Sequence, residues 1–395
     1  MQKKSIFFIF LILLISGIFY ILNSPYRLHR VQNWLAYENE KTLPHKPLRA
    51  KIITDDNVTL AYSEYVYHLS FLSNQYTQEE FQNLLEMIDK DVKINEKSAL
   101  KRYFRNKKDE YKIVLYAINE KNKTTIEKIL DTQEKKKNYA FTLSGERRVY
   151  PYKETLTPVI GYTKKLIDKD DFTYLKGKDG LEAYYDDTLK KEDIHLAINF
   201  KLQKNLEKEV DELKTLYNAR EVISIILDPE TFYIKAFAST SRYNPKSIRQ
   251  SDYINLRSHA LNMFFYLEDV AKPFLDAIVG DFGKNIKLSI NETSGIDLPF
   301  EKIVNNSNKP QVNFLQFVKV YSIFYTGGKA ANLKIVPSPY PQEKMLMTSS
   351  NLDEIDINTK DTLIKFNDGN STGFVYSKKN LFNGKKMMQS YMVIN

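Results

Sequence analysis

The chain of 395 residues contains no cysteine, which excludes disulfides, thiolate metal sites and cysteine nucleophiles together. Histidine is scarce. The five present (His29, His45, His68, His195 and His259) are dispersed, with no pair at i, i+3 or i+4, so no histidine metal centre is expected, and no motif calls for a cofactor. No repeat, collagen-like or low-complexity segment occurs. Clustered basic residues in a nucleic-acid-binding motif are also missing. The lysines are mixed with acids, so the net charge of +9 reads as a solvated basic surface that suits an anionic polymer or lipid face rather than a nucleic acid.

What is present begins with an apolar run. Lys3 and Lys4 precede Ser5–Leu22, 18 residues without a charge, at the short end of the roughly 17–25 residues a spanning helix needs. Leu22, Asn23 and Ser24 lead straight into Pro25 with no small-x-small cleavage site, so the run reads as an uncleaved anchor rather than a signal peptide. Arg27 and Arg30 balance the two lysines, leaving orientation unassigned by charge. Residues 23–48 are polar, with Leu28, Val31, Trp34 and Leu35 at helical spacing, which predicts a juxtamembrane helix and then a linker.

Arg49–Phe71 reads as a strand, an Asp-Asp-Asn turn and a second strand. Thr77–Lys137 reads as amphipathic helices, the first capped by Thr77 with acids in its opening turn. His195–Leu213 reads as a strand and a helix, and Glu221–Pro245 as a strand hairpin whose Val222–Leu227 run, broken only by Ser224, suits a buried central strand.

These segments carry a resemblance. RAKIITDDNVTLA (Arg49–Ala61) is similar to RGxIxDRNGxxLA, with Asn57 at the turn glycine; asparagine is among the few other residues that tolerate a left-handed position. RVYPYKETLTPVIGY (Arg148–Tyr162) resembles RxYPxGxxxxHxxGY, and GLEAYYDDTLK (Gly180–Lys190) resembles GLExxYDxxLxG. HLAINFKLQKNLE resembles VxLTIDxxLQxxxE, and the Glu221–Pro245 hairpin resembles AxVVMDPxTGxILAMASxPxYDPN, with Phe232 at its turn glycine. Together, in this order and at these spacings, they resemble the class B penicillin-binding proteins, membrane-anchored peptidoglycan transpeptidases of the bacterial cell wall.

FYLEDVAKPF (Phe265–Phe274) then matches that family's YEPGSxxKPF, in which a serine nucleophile stands three residues before a lysine on one helix face. Lys272 is kept, but Asp269 occupies the serine position, and a carboxylate there is a poor acyl acceptor because its product is a labile anhydride. An ion pair between Asp269 and Lys272 is the expected residue of that site. FGKNIKLSINETSGIDLPFEK (Phe282–Lys302) resembles FGFGxxTGIDLPGE, yet the chain from Pro273 to Phe282 is too short for the Ser-x-Asn subdomain that normally intervenes. Ser349–Asn351 repeats that tripeptide beyond its normal place, after VNFLQFVKVYSIFYTGGK (Val312–Lys329), and is read as coincidence. FNDGNSTGFVY (Phe366–Tyr376) stands where the family has GKTGTA: Thr372 and Gly373 remain, and Ser371 replaces the lysine that draws a substrate carboxylate. SYMVIN, up to Asn395, resembles ASFxGF.

The resemblance implies an α+β chain with a transmembrane anchor (1–22), a linker (23–48), a pedestal or dimerisation-like domain (49–220) and a reduced transpeptidase-like domain (221–395). It implies a single-pass protein of the inner (cytoplasmic) membrane, N-terminus in the cytoplasm and bulk in the periplasm. The expected function is catalytically silent binding to glycosyltransferase-type division or elongation proteins of that membrane, with peptidoglycan as a further partner. Two alternatives stay open: a transpeptidase or carboxypeptidase using Ser258, Ser349 or Ser371, and a decayed remnant.

Overall fold

The structure, a computed structural model, describes residues 47–105, 110–133, 138–169, 171–250, 252, 265–267, 287–289, 297–299, 311–322, 325, 329–330, 333–337, 344–345, 364–367, 372–382 and 384–394. The anchor expected at Ser5–Leu22 lies outside the described residues. Among the described residues, no helix is long and apolar enough to cross a membrane.

The fold is mixed α+β. Along the chain come β1 (Ile52–Ile53), β2 (Thr59–Leu72), α1 (Gln78–Asp91), α2 (Glu96–Phe104), β3 (Tyr111–Asn119), α3 (Glu120–Asp131) and β4 (Tyr139–Val149). They are followed by α4 (Thr157–Ile160), β5 (Thr163–Ile167), β6 (Thr173–Gly177), α5 (Gly180–Tyr184), β7 (Ile194–His195) and α6 (Phe200–Leu216). The chain forms two compact units: Met1–Leu48, Glu64–Arg147 and Ile167–Tyr174 in one, and Arg49–Ser63, Arg148–Leu166 and Leu175–Asn395 in the other.

In the first unit α1 starts where Thr77 and Glu80 exchange side-chain and backbone hydrogen bonds, a complete capping box. Phe81, Leu84, Leu85 and Ile88 then fall on one helix face and are buried against Leu69 and Phe71 of β2, Tyr103 of α2 and Val114 of β3. Phe71 meets Phe81 edge-on at 5.4 Å. The amphipathic helices expected within 77–137 are α1, α2 and α3, and a strand that the periodicity does not announce stands between the last two. Tyr111–Asn119 is β3, antiparallel to β2 from Val66↔Asn119 to Leu72↔Tyr111. Its β-branched and aromatic content suits a strand. Register shifts on either side of Leu69 blur the alternation that would announce one, leaving a burial pattern without period.

In the second unit β1 pairs antiparallel with the start of β2 and parallel with β7. A larger sheet holds β8 (Glu221–Asp228), β9 (Tyr233–Ser239), β10 (Phe265–Leu267), β13 (Gln311–Val312), β16 (Ile364–Asn367), β17 (Thr372–Phe382) and β18 (Lys385–Ile394), in the order β13-β10-β16-β17-β18-β8-β9. Two small hairpins, β11 (Lys287–Ser289) with β12 (Asp297–Pro299) and β14 (Lys329–Ala330) with β15 (Lys344–Met345), stand apart from it. Every residue of β8 is buried, as its apolar run predicts. Helix α6 covers Val222, Ile226 and Ala236 with Leu206 and Val210, and α7 (Phe314–Tyr321) adds Phe314, Leu315, Phe317 and Val318 to the main core.

Three positions that the family pattern gives to glycine keep a left-handed backbone without it: Asn57 (φ 60°), Lys153 (φ 49°) and Phe232 (φ 59°). That conformation costs a residue with a Cβ about 1–2 kcal/mol. At Phe232 the side chain is 1% exposed, and burying a phenylalanine returns about 1.5–3 kcal/mol, so burial outweighs strain there. Lys153 is exposed and has no such compensation.

Candidate functional site

The strands frame the region where the resemblance places the chemistry. Phe265–Leu267, the start of the segment that carries Asp269 and Lys272, is strand β10. It pairs with β16, Leu267 opposite Phe366, and Phe366 in turn opposes Gly373 of β17. Leu267 and Gly373 therefore lie in one register with a single strand between them, two inter-strand steps or about 10 Å. Thr372 opens β17 opposite Asn367, and Gly373 faces Ile394 on its other side. The sheet thus brings the approach to Asp269 and the Thr372–Gly373 remnant to either side of β16. Asp269, Lys272 and Ser371 lie outside the described residues, as do Ser258 and Ser349.

Serine hydroxyls do occur inside the sheet. Ser377 and Ser390, cross-strand partners on β17 and β18, share a 2.6 Å hydrogen bond, and Ser224 donates to the Ser390 carbonyl at 2.9 Å. All three have no solvent exposure, so they lock strands together and meet no substrate.

The densest polar constellation is a buried ion network. Glu182 of α5 is completely buried and accepts from Arg49 Nε and Arg148 Nε, each at 2.7 Å, and from the Tyr150 hydroxyl at 3.3 Å. Arg49 also donates Nη2 to the Glu182 carbonyl (2.6 Å) and Nη1 to Asp186 (2.7 Å). Arg148 Nη1 donates to the Ala50 carbonyl at 2.6 Å, while its Nη2 is buried with no partner among the described residues. Burial raises the Asp186 carboxyl, but the Gly177 N–H, Lys190 and Arg49 outweigh it and hold it below the usual range. Burial and the Glu182 carboxylate both push the Tyr150 phenol up. Glycines allow this packing: Gly161 has φ 77°, and a Cβ on it would stand 1.9 Å from the Asp179 carbonyl oxygen. With its carboxylates bound by cations, the network ties Arg49 and Ala50, ahead of β1, and Arg148 and Tyr150 to α5, all within the second unit, and offers no free acid or base.

A second carboxylate, Glu207 of α6, holds the turn after Tyr150. It accepts from Leu156 N (2.9 Å), Thr155 Oγ1 (3.3 Å), Gln203 Nε2 (3.1 Å) and Lys204 Nζ (2.9 Å). Lys153 and Leu156, both left-handed, belong to this turn. The turn and one face of α6 line an open groove of about 910 Å³. Arg242, bound to Asp211 there at 2.6 and 2.7 Å, and Lys204, bound to Glu207, offset the acids, so the groove concentrates neither sign of charge. Among the described residues, no cluster of His, Asp and Glu could hold a metal ion.

Lys319, on α7, escapes a reading by motif. It is 5% exposed among phenylalanines and valines, and burial lowers its ammonium to about 8. The only signal was a single lysine in the apolar stretch VNFLQFVKVYSIF.

Residues 44–224 match the family described as Penicillin-binding Protein dimerisation domain. Peptidoglycan D,D-transpeptidase MrdA of Escherichia coli (strain K12) is 24% identical over a 302-residue alignment covering 61% of this chain and 44% of that protein. Penicillin Binding Protein 2X from Streptococcus thermophilus superposes with a TM-score of 0.63 at 11% identity, covering 88% of this chain and 76% of that one. The chain is similar to the class B penicillin-binding proteins, and residues 44–224 carry the match to their dimerisation domain. A peptidoglycan synthetase from Bifidobacterium adolescentis has the same fold, with a TM-score of 0.52 at 11% identity, covering 88% of this chain and 91% of that one. The match to the curated transpeptidases spans less than half of their length. Within the penicillin-binding-protein-like chain, the network around Glu182 lies wholly inside the stretch that matches the dimerisation domain.

Proposed function

We propose that this chain is a membrane-anchored, catalytically silent homologue of the class B penicillin-binding proteins that works by binding, as a scaffold in peptidoglycan synthesis or cell division. The observation that carries this reading is the pairing of a lost nucleophile with a kept frame. Asp269 stands where the serine belongs and Ser371 where the cleft lysine belongs. The residues that hold the fold together, Arg49, Arg148 and Glu182, are joined by short ion pairs. Relaxed selection on acylation with continued selection on folding leaves this combination. The partners that suit it are glycosyltransferase-type proteins of the cytoplasmic membrane, reached through Ser5–Leu22, the linker and the dimerisation-like region. The cationic surface adds a loose hold on the anionic wall polymer.

Incubation of the full chain with a reactive penicillin, followed by intact-mass measurement, tests the reading. It expects no adduct under conditions that fully acylate a serine-bearing class B protein. A stoichiometric adduct would overturn it, and the labelled peptide would identify the serine in use.

A further inference from the structure

In the first unit the edge of the β2–β3 ladder carries a strained residue held by a histidine. The register of β2 and β3 breaks between Tyr67 and Leu69, which leaves His68 unpaired in the ladder and opposite the stretch around Ala117. Ala117 has φ 52°, a left-handed conformation that an alanine adopts at a cost of about 1–2 kcal/mol and that no turn glycine relieves. Its amide, displaced from the ladder, donates instead to His68 Nδ1 at 3.3 Å. The Tyr116 ring meets the imidazole edge-on at 4.9 Å. Arg102 of α2 lies over the other ring partner, 5.1 Å from the Tyr116 centroid, with its Nε bonded to the Val114 carbonyl at 2.8 Å. Two residues after Ala117, Asn119 caps α3 by accepting from Asn122 N.

An imidazole accepts an N–H only while that nitrogen is unprotonated. Acid therefore turns the acceptor for Ala117 into a second donor facing a donor, and the strain at Ala117 loses what holds it. The charged groups set around this site do not rescue the imidazolium. Arg102 of α2 lies over the Tyr116 ring that meets the imidazole, so the cation on that side offers it no counter-charge. No carboxylate bonds to the His68 ring in the described network.

We propose that His68 is a proton-operated pin on the β3 edge: neutral, it fixes the Ala117 bulge and the start of α3; protonated, it releases them. Burial supports this by depressing the imidazole below its ordinary 6.5, against a smaller opposing hydrogen bond to the Tyr67 backbone, so the pin is closed at neutral pH. The released element is the strand end bearing Tyr116, which is 53% exposed, and the cap of α3.

Hydrogen–deuterium exchange of the full chain, read on peptides covering residues 113–122 and corrected for intrinsic exchange, tests the pin. Protection there should fall at least about tenfold between pH 7.5 and pH 5, while peptides of α1 hold theirs. In His68→Asn, whose amide oxygen accepts without titrating, protection should stay level across that range. Equal protection of the wild type at both pH values, or the same loss in His68→Asn, would overturn the proposal. Should His68→Asn fail to fold, the C2-proton exchange of His68 in the wild type decides: a midpoint below 6.5 supports the pin and one at or above 6.5 overturns it.

Discussion

Arg49 and Glu182, 133 positions apart in the chain, meet side chain to side chain at 2.7 Å with essentially no exposure of either. Such a pair adds little net stability over an apolar one, because desolvation offsets the attraction, but breaking it strands a buried charge. Glu182→Ala takes the carboxylate from Arg148 and leaves Arg49 with Asp186 alone. It should cost about 3–5 kcal/mol in urea unfolding. Glu182→Gln keeps the side-chain volume and one of the two oxygen acceptors, turning an amide N–H toward the other guanidinium, and should cost less than the alanine. Equal losses for the two substitutions would mean that the charge alone, and neither packing nor the remaining acceptor, decides the site.

Lys153→Gly should stabilise the protein by about 1 kcal/mol, because glycine takes the left-handed conformation without a Cβ penalty. The exposed lysine side chain gives up no burial in return. Phe232→Gly, at the same kind of backbone position, should destabilise instead, since it removes a side chain that is 1% exposed. Opposite signs in thermal unfolding are the expected readout.

The Asp228 carboxylate predicts part of the acid response. Burial raises it, but Lys385 Nζ at 2.6 Å, the Glu230 N–H and Thr231 outweigh that and hold it below the ordinary 3.8. The folded state thus prefers the ionised form. Its contribution is complete above about 4 and is lost as pH falls through the depressed value. The stability gap between wild type and Asp228→Asn should stay level from pH 7 to 5 and shrink below about pH 4.

Asp269→Ser alone should not restore acylation by penicillin. The hydroxyl would return beside Lys272, but Ser371 supplies no cation for the ligand carboxylate and the Ser-x-Asn loop is not where the family keeps it. Intact mass after prolonged incubation should remain that of the unmodified chain. An adduct would locate the silence in one residue.

How much of this was legible before any coordinates depends on the range of the interaction. The Thr77–Glu80 capping box, the buried run Val222–Leu227 and the left-handed Asn57 are local, and local pattern announces them. The strand β3 was hidden because its bulge destroys the alternation that marks a strand. Motifs named Arg49, Arg148 and Glu182 as separate matches, and nothing in their spacing says that both arginines converge on one carboxylate. The strand pairing of Tyr266 and Leu267 ahead of Asp269 joins positions about 100 apart, and no local pattern announces it. His68 and Lys319 carry no motif at all, and only burial makes them unusual.

The position of β18 bears on how the chain is made. Ser224 and Ser390, 166 positions apart, hold neighbouring strands, and β18 lies between β8 and β17 in the sheet. During synthesis β8 and β9 emerge as a hairpin with one apolar flank and a row of open backbone donors and acceptors. That flank must wait for residues 385–394 to be translated before it closes. A newborn chain of this kind exposes a sticky β edge for most of its second half, and a chaperone that shields such edges would govern its yield more than any gain in final stability.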